Sequence, residues 1–498
     1  MPTRRSTTRP LALLALAIAA LVAACAAPAM PTVDLTSHVD GQRVFGSRTI
    51  TLAGTASNTS QVEVLLDGSV VATVAVIADA FTTDVTLGAN HNEVRVQTLD
   101  ALVGDEIDLV YPWVDVTTFR PMDIVIGQVD KTSNAFGTSA TEIGKFTYGT
   151  PVYVGGILYV PDATNHRVLG FSGLPMADGA AAGFVLGQAS FTAKTANDDD
   201  QDGLSDAAPT ARTMSCPSAL ASDGTRLLVA DACNNRILVY DSLPTTNFAP
   251  ADVVIGQATM TANASTTCSM NEPFNYVERL AVGGGKLVVP ENNGHRVLIW
   301  TSIPTANGTE PDLVLGQPGS GATCEPNDDD QDGAPGAPSA RTFFEPWDTW
   351  TDGDRILVAD YDNYRVLLWE SFPTTNFAPA DIVIGQDSMT TRDVGSGATG
   401  FSDAYTIASN GNQILVPDYD NARVLVYDAF PTANGAAADA VLGQATFAAT
   451  TDNDDDQDGT TDATPSARTM GRSYGAWMGE GVMIINDFHN HRYALFVD

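Results

Sequence analysis

Three acidic stretches carry the residues best suited to chemistry, and their carboxylates share one spacing. Residues 197–207, 327–337 and 453–463 read NDDDQDGLSDA, NDDDQDGAPGA and NDDDQDGTTDA. Aspartates at alternate positions before a glycine place three carboxylates on one side of a tight loop, which suits a hard, oxygen-seeking cation such as calcium. The candidate ligands are Asp198, Asp200, Asp202, Asp206, Asp328, Asp330, Asp332, Asp454, Asp456, Asp458 and Asp462.

These stretches resemble the calcium loops of EF-hands and of thrombospondin type 3 repeats. They depart from the EF-hand at its twelfth position, where Pro209, Ser339 or Pro465 replaces the bidentate glutamate. The second loop also has Gly336 in place of the ninth-position acid. The resemblance implies weak sites suited to extracellular calcium, and the alternative is a solvated acidic loop without metal.

The acidic stretches alternate with a hairpin motif that occurs six times. Residues 227–244, LLVADACNNRILVYDSLP, show its pattern of an apolar run, an Asp/Asn turn, an arginine and a second apolar run, which predicts two strands around a tight turn. We number the repeats 1 to 6 by their hairpin arginines, Arg167, Arg236, Arg296, Arg365, Arg423 and Arg492. The acidic stretches precede repeats 2, 4 and 6, which indicates a duplicated pair of repeats.

Each repeat contains four strand signals, here named A to D. Strand A is short, strands B and C form the hairpin, and strand D ends in a Gly–Gln pair, as in DVVIGQ (252–257). Four antiparallel strands repeated radially predict a six-bladed β-propeller within an all-β fold. One D-type strand (123–128) precedes every A strand, and repeat 6 ends after strand C. We therefore expect residues 123–128 to be the outer strand of the last blade.

The hairpins resemble the NHL repeat family. Its pattern, an Asp that ends strand B followed by Asn, any residue and Arg, is present as Asp231, Asn234 and Arg236 in repeat 2, while repeat 3 departs with Glu291 and Gly294. The resemblance implies an NHL-type propeller over residues 121–498. The Asp and Arg are expected to be structural, because Asp can cap the turn and Arg can pair with it.

The segment before the propeller reads as a separate β-sandwich. Residues 32–114 alternate apolar and polar residues over seven or so short strands, with a hairpin signal at Asp67-Gly68. The closing strands resemble those of bacterial immunoglobulin-like modules, which implies an immunoglobulin-like spacer or adhesion unit.

The N-terminus has the pattern of an export signal. Arg4, Arg5 and Arg9 precede the apolar run 11–22, which is too short to cross a bilayer comfortably and ends in LVAAC at Cys25. This resembles a bacterial lipoprotein signal and implies removal of residues 1–24, lipidation of Cys25 and a tether at 25–31. The alternative is an ordinary secretory signal. We expect a cell-envelope protein, facing the periplasm or cell exterior, held to the membrane only through its anchor.

Charge and cysteines restrict the partners and the compartment. A net charge of −35 opposes binding of nucleic acid and of anionic lipid.

Four further cysteines in an exported chain favour disulfides, although four cysteines allow three pairings and buried free thiols are the alternative. We favour Cys216–Cys233 and Cys268–Cys324.

A ligand site is expected where strands A begin, around the central tunnel of the propeller. The residues there include Tyr148, Tyr276, Glu278, Glu345, Trp347, Tyr405, Arg472 and Tyr474. Aromatic rings mixed with acids suit a sugar or a peptide, and ordinary packing is the alternative. We therefore expect a monomeric, calcium-stabilised binding or scaffold module for a protein or glycan partner. The second hypothesis is a propeller hydrolase or lyase with a metal in the tunnel, because some NHL-type propellers are enzymes.

Overall fold

A computed structural model describes residues 30–45, 47–101, 103–265, 274–319 and 323–498. The chain forms two compact units, and the boundary along the chain lies between Tyr111 and Pro112. The described residues form β-strands and short 3-10 helices without an α-helix, which confirms the all-β prediction. Within these ranges, no helix is long and apolar enough to cross a membrane.

The first unit consists of two β-sheets. Its strands are β1 (Thr32–Leu35), β2 (Gln42–Arg43), β3 (Thr49–Ser57), β4 (Gln61–Leu66), β5 (Ser69–Ala75), β6 (Ala80–Thr86), β7 (Asn90–Thr98) and β8 (Gly104–Tyr111). The sheet orders are β1-β3-β6 and β2-β8-β7-β4-β5. Alternate side chains are buried along β3 and β4, as half-buried strands require, and Asp67 and Gly68 turn the chain at positive φ.

The second unit contains six four-stranded antiparallel sheets, one for each repeat. A single strand, β9 (Ile124–Ile126), precedes repeat 1. In the order A to D, the strands are β10–β13 (Val152–Val154, Ile157–Asp162, Arg167–Ser172, Phe184–Leu186), β14–β17 (Pro217–Ser222, Leu227–Asp231, Arg236–Tyr240, Val253–Ile255), β18–β21 (Ala281–Gly283, Lys286–Glu291, Arg296–Trp300, Leu313–Leu315), β22–β25 (Pro346–Thr351, Ile356–Asp360, Arg365–Trp369, Ile382–Ile384), β26–β29 (Ala408–Ser409, Ile414–Asp418, Arg423–Tyr427, Ala440–Leu442) and β30–β32 (Ser473–Met478, Val482–Asp487, Arg492–Val497).

The outer strand of the sixth sheet comes from the beginning of the unit. Strand β9 pairs antiparallel with β32, with Val125 opposite Ala494. The residues before β9 also belong to this unit: Val114, which the sequence assigns to the sandwich, lies buried with Met122 and Val125 between repeats 5 and 6.

Six hydrophobic clusters join the sheets into a cycle. One cluster lies between repeats 1 and 2. Four others lie between repeats 2 and 3, 3 and 4, 4 and 5, and 5 and 6. The sixth joins repeat 6 back to repeat 1, where Ile484 and Leu495 pack with Leu158 and Val160. The second unit is therefore propeller-like, with each sheet buried on both faces by its neighbours.

A buried acid–arginine pair fixes the B–C turn of every repeat. In repeat 4, Arg365 Nε donates to Asp360 Oδ2 at 2.7 Å, and both side chains are fully buried. The other Asp360 oxygen accepts the backbone N–H of Phe344, while Arg365 Nη2 donates to the carbonyl oxygens of Ser339 and Thr342. The pair thus ties strands B and C to the loop that leads into strand A. Repeat 3 forms the same pair with Glu291.

The Gly–Gln pair after strand D is a second recurrent tie. In repeat 2, Gln257 Nε2 donates to the carbonyl oxygens of Asn235 and Ala264, which bridges the B–C turn and the following loop. Gly256 has φ +82°, and a Cβ there would lie 2.1 Å from the Phe274 ring. Only glycine allows this close packing in the left-handed region.

Short 3-10 helices form the B–C turns of five repeats: Ala163–Asn165, Ala232–Asn234, Asn292–Gly294, Tyr361–Asn363 and Phe488–Asn490. Each is followed by a left-handed residue, such as His295 at φ 50°. These turns, the loops into strand A and the ends of strands D therefore meet at one end of the sheets.

We expect Arg365→Met to lower the free energy of unfolding of the second unit by about 3–5 kcal/mol, because Asp360 would remain buried without its cation. Arg226→Met is the matched control, since its pair with Asp223 is partly exposed and is expected to contribute about 0–1 kcal/mol. Urea unfolding followed by tryptophan fluorescence reports on this unit alone, because all six tryptophans lie at or beyond residue 113. Equal losses for the two variants would contradict a structural role for the buried pair.

Candidate functional site

The acidic stretches bring three carboxylates together in each loop. Ligand-capable oxygens lie within 4.8 Å of one another in three groups: Asp198, Asp200 and Asp202; Asp328, Asp330 and Asp332; and Asp454, Asp456 and Asp462. The first aspartate of each group is buried and the others are exposed or half-buried. These oxygen donors fit a hard divalent cation of the calcium type.

Asp206 and Asp458 are not in these groups. The Asp206 carboxylate accepts the backbone N–H of Asp199, and the Asp458 carboxylate accepts that of Thr460. The loop itself is held by its first aspartate, since Asp198 accepts the N–H groups of Asp202 and Gly203. Gly203 has φ +87°, and no atom lies within 4 Å of the position that a Cβ would occupy. The left-handed backbone conformation, and not a steric clash with a neighbour, therefore favours glycine here.

In the second acidic loop, hydrogen bonds favour the ionised form of the first aspartate. Burial raises the pKa of Asp328, but hydrogen bonds from the Thr323 hydroxyl and from the backbone of Gly333 and Asp332 outweigh it, so the pKa lies below its usual value. A carboxylate that stays ionised is the form that a cation requires.

An asparagine pair connects each acidic loop to the buried acid–arginine pair. Asn327, the first residue of its loop, and Asn363, in the B–C turn, exchange two side-chain hydrogen bonds of 2.9 and 3.0 Å. Asn363 also donates to Asp360. The same exchange joins Asn197 to Asn234 and Asn453 to Asn490. In repeats 1 and 5, which lack the acidic loop, the turn asparagine donates to a backbone carbonyl instead.

Strands A line the axis of the cycle, because those of several neighbouring repeats contact one another. In repeats 2, 4 and 6, the register of strand A shifts at Ser218, Trp347 and Tyr474. Such bulges redirect a side chain. The repeats with a shifted strand A are the same three that carry acidic loops. Repeats 2, 4 and 6 therefore differ from repeats 1, 3 and 5 both in the acidic loops and in the strands that line the axis.

A stack of five aromatic rings crosses this end of the unit. The successive pairs Tyr361–Tyr405, Tyr405–Tyr474, Tyr474–Phe488 and Phe488–Phe146 have ring centroids 4.3–5.6 Å apart and interplanar angles of 21–31°. Trp347 and Tyr419 meet the stack edge-on from repeats 4 and 5. We call these seven residues, with Tyr148 and Tyr276, the aromatic mouth.

Arg279 closes the axis below the aromatic mouth. This fully buried residue of repeat 3 donates through Nη2 to the backbone oxygen of Tyr474 in repeat 6, at 2.8 Å. Its guanidinium lies 5.2 Å from the centre of the Tyr474 ring. Repeats 3 and 6 are opposite in a cycle of six, so Arg279 spans the axis.

The buried polar atoms without a hydrogen-bond partner include Glu278 Oε2, Arg279 Nε and Trp347 Nε1 around the aromatic mouth and Arg472 Nε at its edge. The other Glu278 oxygen accepts the hydroxyl of Tyr276 at 2.6 Å. Buried polar atoms are normally paired, so these unpaired atoms are an exception in the interior near the axis.

Two carboxylates near the aromatic mouth have raised pKa values. Burial, with the negative charges of Asp420, Asp418 and Asp362, raises the pKa of Asp403 to about 7. Burial also raises the pKa of Asp348 to about 7, although Arg279 opposes the shift.

The nearby cation Arg472 pairs with Asp420 and lies over the Tyr419 ring, 5.1 Å from its centre. This arrangement places both signs of charge at the edge of the aromatic mouth.

The histidines of the B–C turns link successive repeats. Nδ1 of His166, His295 and His491 accepts the backbone N–H of Cys216, Glu345 and Phe146, at 3.0–3.1 Å. Asn235 does the same in repeat 2, where Oδ1 accepts the N–H of Tyr276. Burial lowers the pKa of His295 to about 4. The ring is therefore neutral near pH 7, and Nδ1 can accept the backbone N–H of Glu345.

The structure joins Cys216 to Cys233 by a disulfide, with Cα atoms 5.4 Å apart. Disulfides persist in oxidising compartments, so this bond favours an extracytoplasmic location. The expected Cys268–Cys324 pair lies outside the described residues because Cys268 does, and so does the expected lipidation site at Cys25.

A surface groove of about 440 Å³ lies at the opposite end of the sheets, lined by residues that include Arg226, Trp300, Ile303 and Asp312. It is apart from both the acidic loops and the aromatic mouth. We base the functional argument on the aromatic mouth because aromatic rings and charged side chains converge there.

Sequence analysis found part of this site. Five of the expected residues belong to the aromatic mouth: Tyr148, Tyr276, Trp347, Tyr405 and Tyr474. The expected Glu278, Glu345 and Arg472 lie beside it. Phe146, Tyr361, Tyr419 and Phe488 were missed, as were Arg279 and Asp348. A signal existed for three of them: the first turn residue after the strand B acid is aromatic only in repeats 4, 5 and 6, as Tyr361, Tyr419 and Phe488.

Comparisons with solved structures give only distant likenesses. A proposed phosphatase from Bacteroides thetaiotaomicron has 11% identity and a TM-score of 0.37, covering 94% of this chain and 98% of that one. A proposed 6-phosphogluconolactonase from Bacteroides uniformis has 10% identity and a TM-score of 0.35, covering 86% and 89%. An FMN-binding β-glucuronidase from Faecalibacterium prausnitzii has 23% identity and a TM-score of 0.14, covering 16% of this chain and 12% of that one.

At these TM-scores, the likenesses carry no weight in the functional argument. No known protein-family pattern matches the sequence, and no curated protein matches it.

We expect His295→Asn to reduce the loss of stability between about pH 6.5 and about pH 4. The folded pKa lies below the unfolded one, so the unfolded chain binds more protons in this window and stability falls as the pH falls. Asparagine keeps the acceptor, as Asn235 does in repeat 2, but does not titrate. The measurement is the urea midpoint at about pH 7 and about pH 5, with His295→Ala expected to be less stable at both. An unchanged pH dependence in His295→Asn would contradict this assignment.

Proposed function

We propose that residues 112–498 form a six-bladed β-propeller of NHL type and that the preceding unit is an immunoglobulin-like module, in a lipoprotein of the bacterial cell envelope. The cycle of four-stranded sheets, the recurrent buried acid–arginine pair and the outer strand supplied by β9 support the propeller. The signal pattern ending at Cys25 supports the anchor.

The function that we propose is binding: a scaffold module that holds a protein or glycan partner at the aromatic mouth. The observation that carries this proposal is the convergence of half-buried aromatic rings with the charged side chains of Arg472 and Glu345 beside them. Ligand sites typically combine aromatic walls with a few convergent polar groups. The net charge of −35 argues against nucleic acid as the partner.

The alternative, a hydrolase or lyase with a metal in the tunnel, requires several histidine or carboxylate side chains that converge at the axis. The convergent groups on the described part of the chain are the three acidic loops. Binding is therefore the function that we develop.

Calcium at the acidic loops is the second part of the proposal. Asp198, Asp328 and Asp454 would be the buried ligands and the grouped aspartates the outer ones, so that the cation holds each loop closed. The asparagine pairs would pass this restraint to the buried acid–arginine pairs of repeats 2, 4 and 6.

We expect millimolar calcium to raise the melting temperature relative to chelator, since a site at a hundredfold excess over Kd contributes about 2.7 kcal/mol. Replacing Asp198, Asp328 and Asp454 together by Asn should abolish the rise. Replacing Asp199, Asp329 and Asp455 by Asn removes the same charge from residues outside the groups and should preserve it. The same response in both triple variants, or none in the native protein, would exclude these sites.

Arrays of glycans and of peptides test the binding function directly. We expect the native protein to bind members of one array, and Arg472→Ala and Glu345→Gln, at the edge of the aromatic mouth, to weaken that binding by about tenfold. Thr305→Arg, an exposed change in the groove at the opposite end, should leave it unchanged. Failure to bind either array, or sensitivity only to Thr305→Arg, would overturn the function and its location.

A further inference from the structure

Repeats 2 and 5 bridge the loop before strand A to the B–C turn at the same two positions. In both repeats, the first position directly follows the residue whose backbone N–H binds the strand B acid, and the second lies two residues after that acid. In repeat 2, these positions hold Cys216 and Cys233, which form the disulfide. In repeat 5, they hold Asp403 and Asp420, whose carboxyl groups are hydrogen-bonded to each other. The fold therefore has a non-covalent bridge in repeat 5 where repeat 2 has a covalent one.

The bridge in repeat 5 depends on a proton. Ionised carboxylates only accept hydrogen bonds, so two carboxyl groups bind each other only while one of them is protonated. Asp403 is half-buried and the Asp420 side chain is 47% exposed, so solvent can supply and remove that proton. Burial, the hydrogen bond to Asp420 and the surrounding negative charges raise the pKa of Asp403 to about 7. The bridge is therefore made and broken near neutral pH.

Charged groups from three repeats face this carboxyl pair. Within repeat 5, Asp418 lies beside it, although a buried arginine balances that charge. Repeat 4 contributes a further negative charge, Asp362. Repeat 6 contributes Arg472, which pairs with Asp420 and has its Nε 3.4 Å from Asp452 Oδ2. Loss of the shared proton thus leaves two adjacent carboxylates with one cation between the repeats, and the two side chains repel each other.

Tyr405 is the residue that this bridge positions. It lies two residues after Asp403, in a segment outside the regular ladder: Ala404 forms an isolated bridge with strand B, and β26 starts only at Ala408. The Asp403 carbonyl oxygen accepts the backbone N–H of Tyr405 at 3.2 Å. The Tyr405 ring stacks on Tyr361 with centroids 4.3 Å apart, and the two hydroxyls are hydrogen-bonded. Because burial raises the pKa of both tyrosines, they stay neutral near pH 7, and a displacement of Asp403 reaches the stack directly.

We propose that the Asp403–Asp420 carboxyl pair is a proton-operated clasp, which joins the loop before strand A to the B–C turn of repeat 5 and opens when the shared proton is released to solvent. In the closed state, the clasp holds Tyr405 in the stack of aromatic rings. In the open state, Asp420 keeps its pair with Arg472 and Asp403 turns towards solvent, which loosens the stack at Tyr405. The clasp acts on conformation and does not require that the aromatic mouth binds a ligand.

The test is near-ultraviolet circular dichroism of the native protein at increasing pH, because this signal reports the packing of aromatic rings. We expect a change in the tyrosine band with a midpoint at about pH 7, the closed form being the one at lower pH. Asp403→Asn should abolish the change, because its amide group donates to Asp420 at every pH and does not titrate. The histidines are unaltered in this variant, so their titration is excluded as the cause.

Asp362→Asn is the matched control, since it removes a facing negative charge and leaves both members of the clasp in place. It should retain the change, with a midpoint at lower pH, because the pKa of Asp403 falls when a neighbouring negative charge is removed. Asp403→Cys combined with Asp420→Cys provides a covalent lock at the positions that form the disulfide in repeat 2. Its oxidised form, verified by thiol titration, should keep the low-pH spectrum throughout.

Melting temperatures establish that each variant is folded. A native spectrum that is the same at about pH 5.5 and about pH 8.5 would overturn the clasp. So would an unchanged transition in Asp403→Asn, which would assign the change to another carboxyl, such as the buried Asp348. If Asp403→Asn does not fold, the oxidised double-cysteine variant decides, since a transition that persists in it contradicts the proposal. These outcomes are independent of the glycan and peptide arrays.

Discussion

The buried acid–arginine pair of each B–C turn is the interaction on which the rest of the second unit depends. An ion pair in the protein interior gains little net free energy over an apolar pair, because both charges lose their hydration. In this unit, the pair also fixes the loop that precedes strand A. Arg365 reaches two carbonyl oxygens in the loop before strand A, and Asp360 accepts an N–H group from the same loop. A segment without regular structure is thereby fixed against the hairpin.

The acidic loop and part of the aromatic mouth are connected to that fixed loop. Asn363 extends the network from Asp360 to Asn327, where the acidic loop begins. The residue that ends the same loop, Glu345, donates its backbone N–H to His295 of the preceding repeat. Strand A then begins at Pro346, and the next residue, Trp347, belongs to the aromatic mouth. The acidic loop, the repeat-to-repeat contact and a residue of the aromatic mouth are thus successive parts of one connection.

Sequence was sufficient for what is local and repeated. The hairpins, the B–C arginines, the Asp67-Gly68 turn and the Cys216–Cys233 proximity all follow from short-range patterns. The asparagine pairs were not foreseen, because the partners are about 36 residues apart and each looks like a turn residue alone. Arg279 was missed for a similar reason. Its partner Tyr474 belongs to the opposite repeat, and no spacing in the chain encodes a contact across an axis.

The pairing of β9 with β32 also constrains the order of events in biosynthesis. Ile124 lies opposite Leu495, so the sixth sheet lacks its outer strand until almost the whole chain has left the ribosome. Contacts so distant along the chain carry a high loop-closure cost and form late. During synthesis, the early segments remain without their final partner. The cycle of sheets is therefore completed only when the last strand of repeat 6 meets a segment made near the beginning of synthesis.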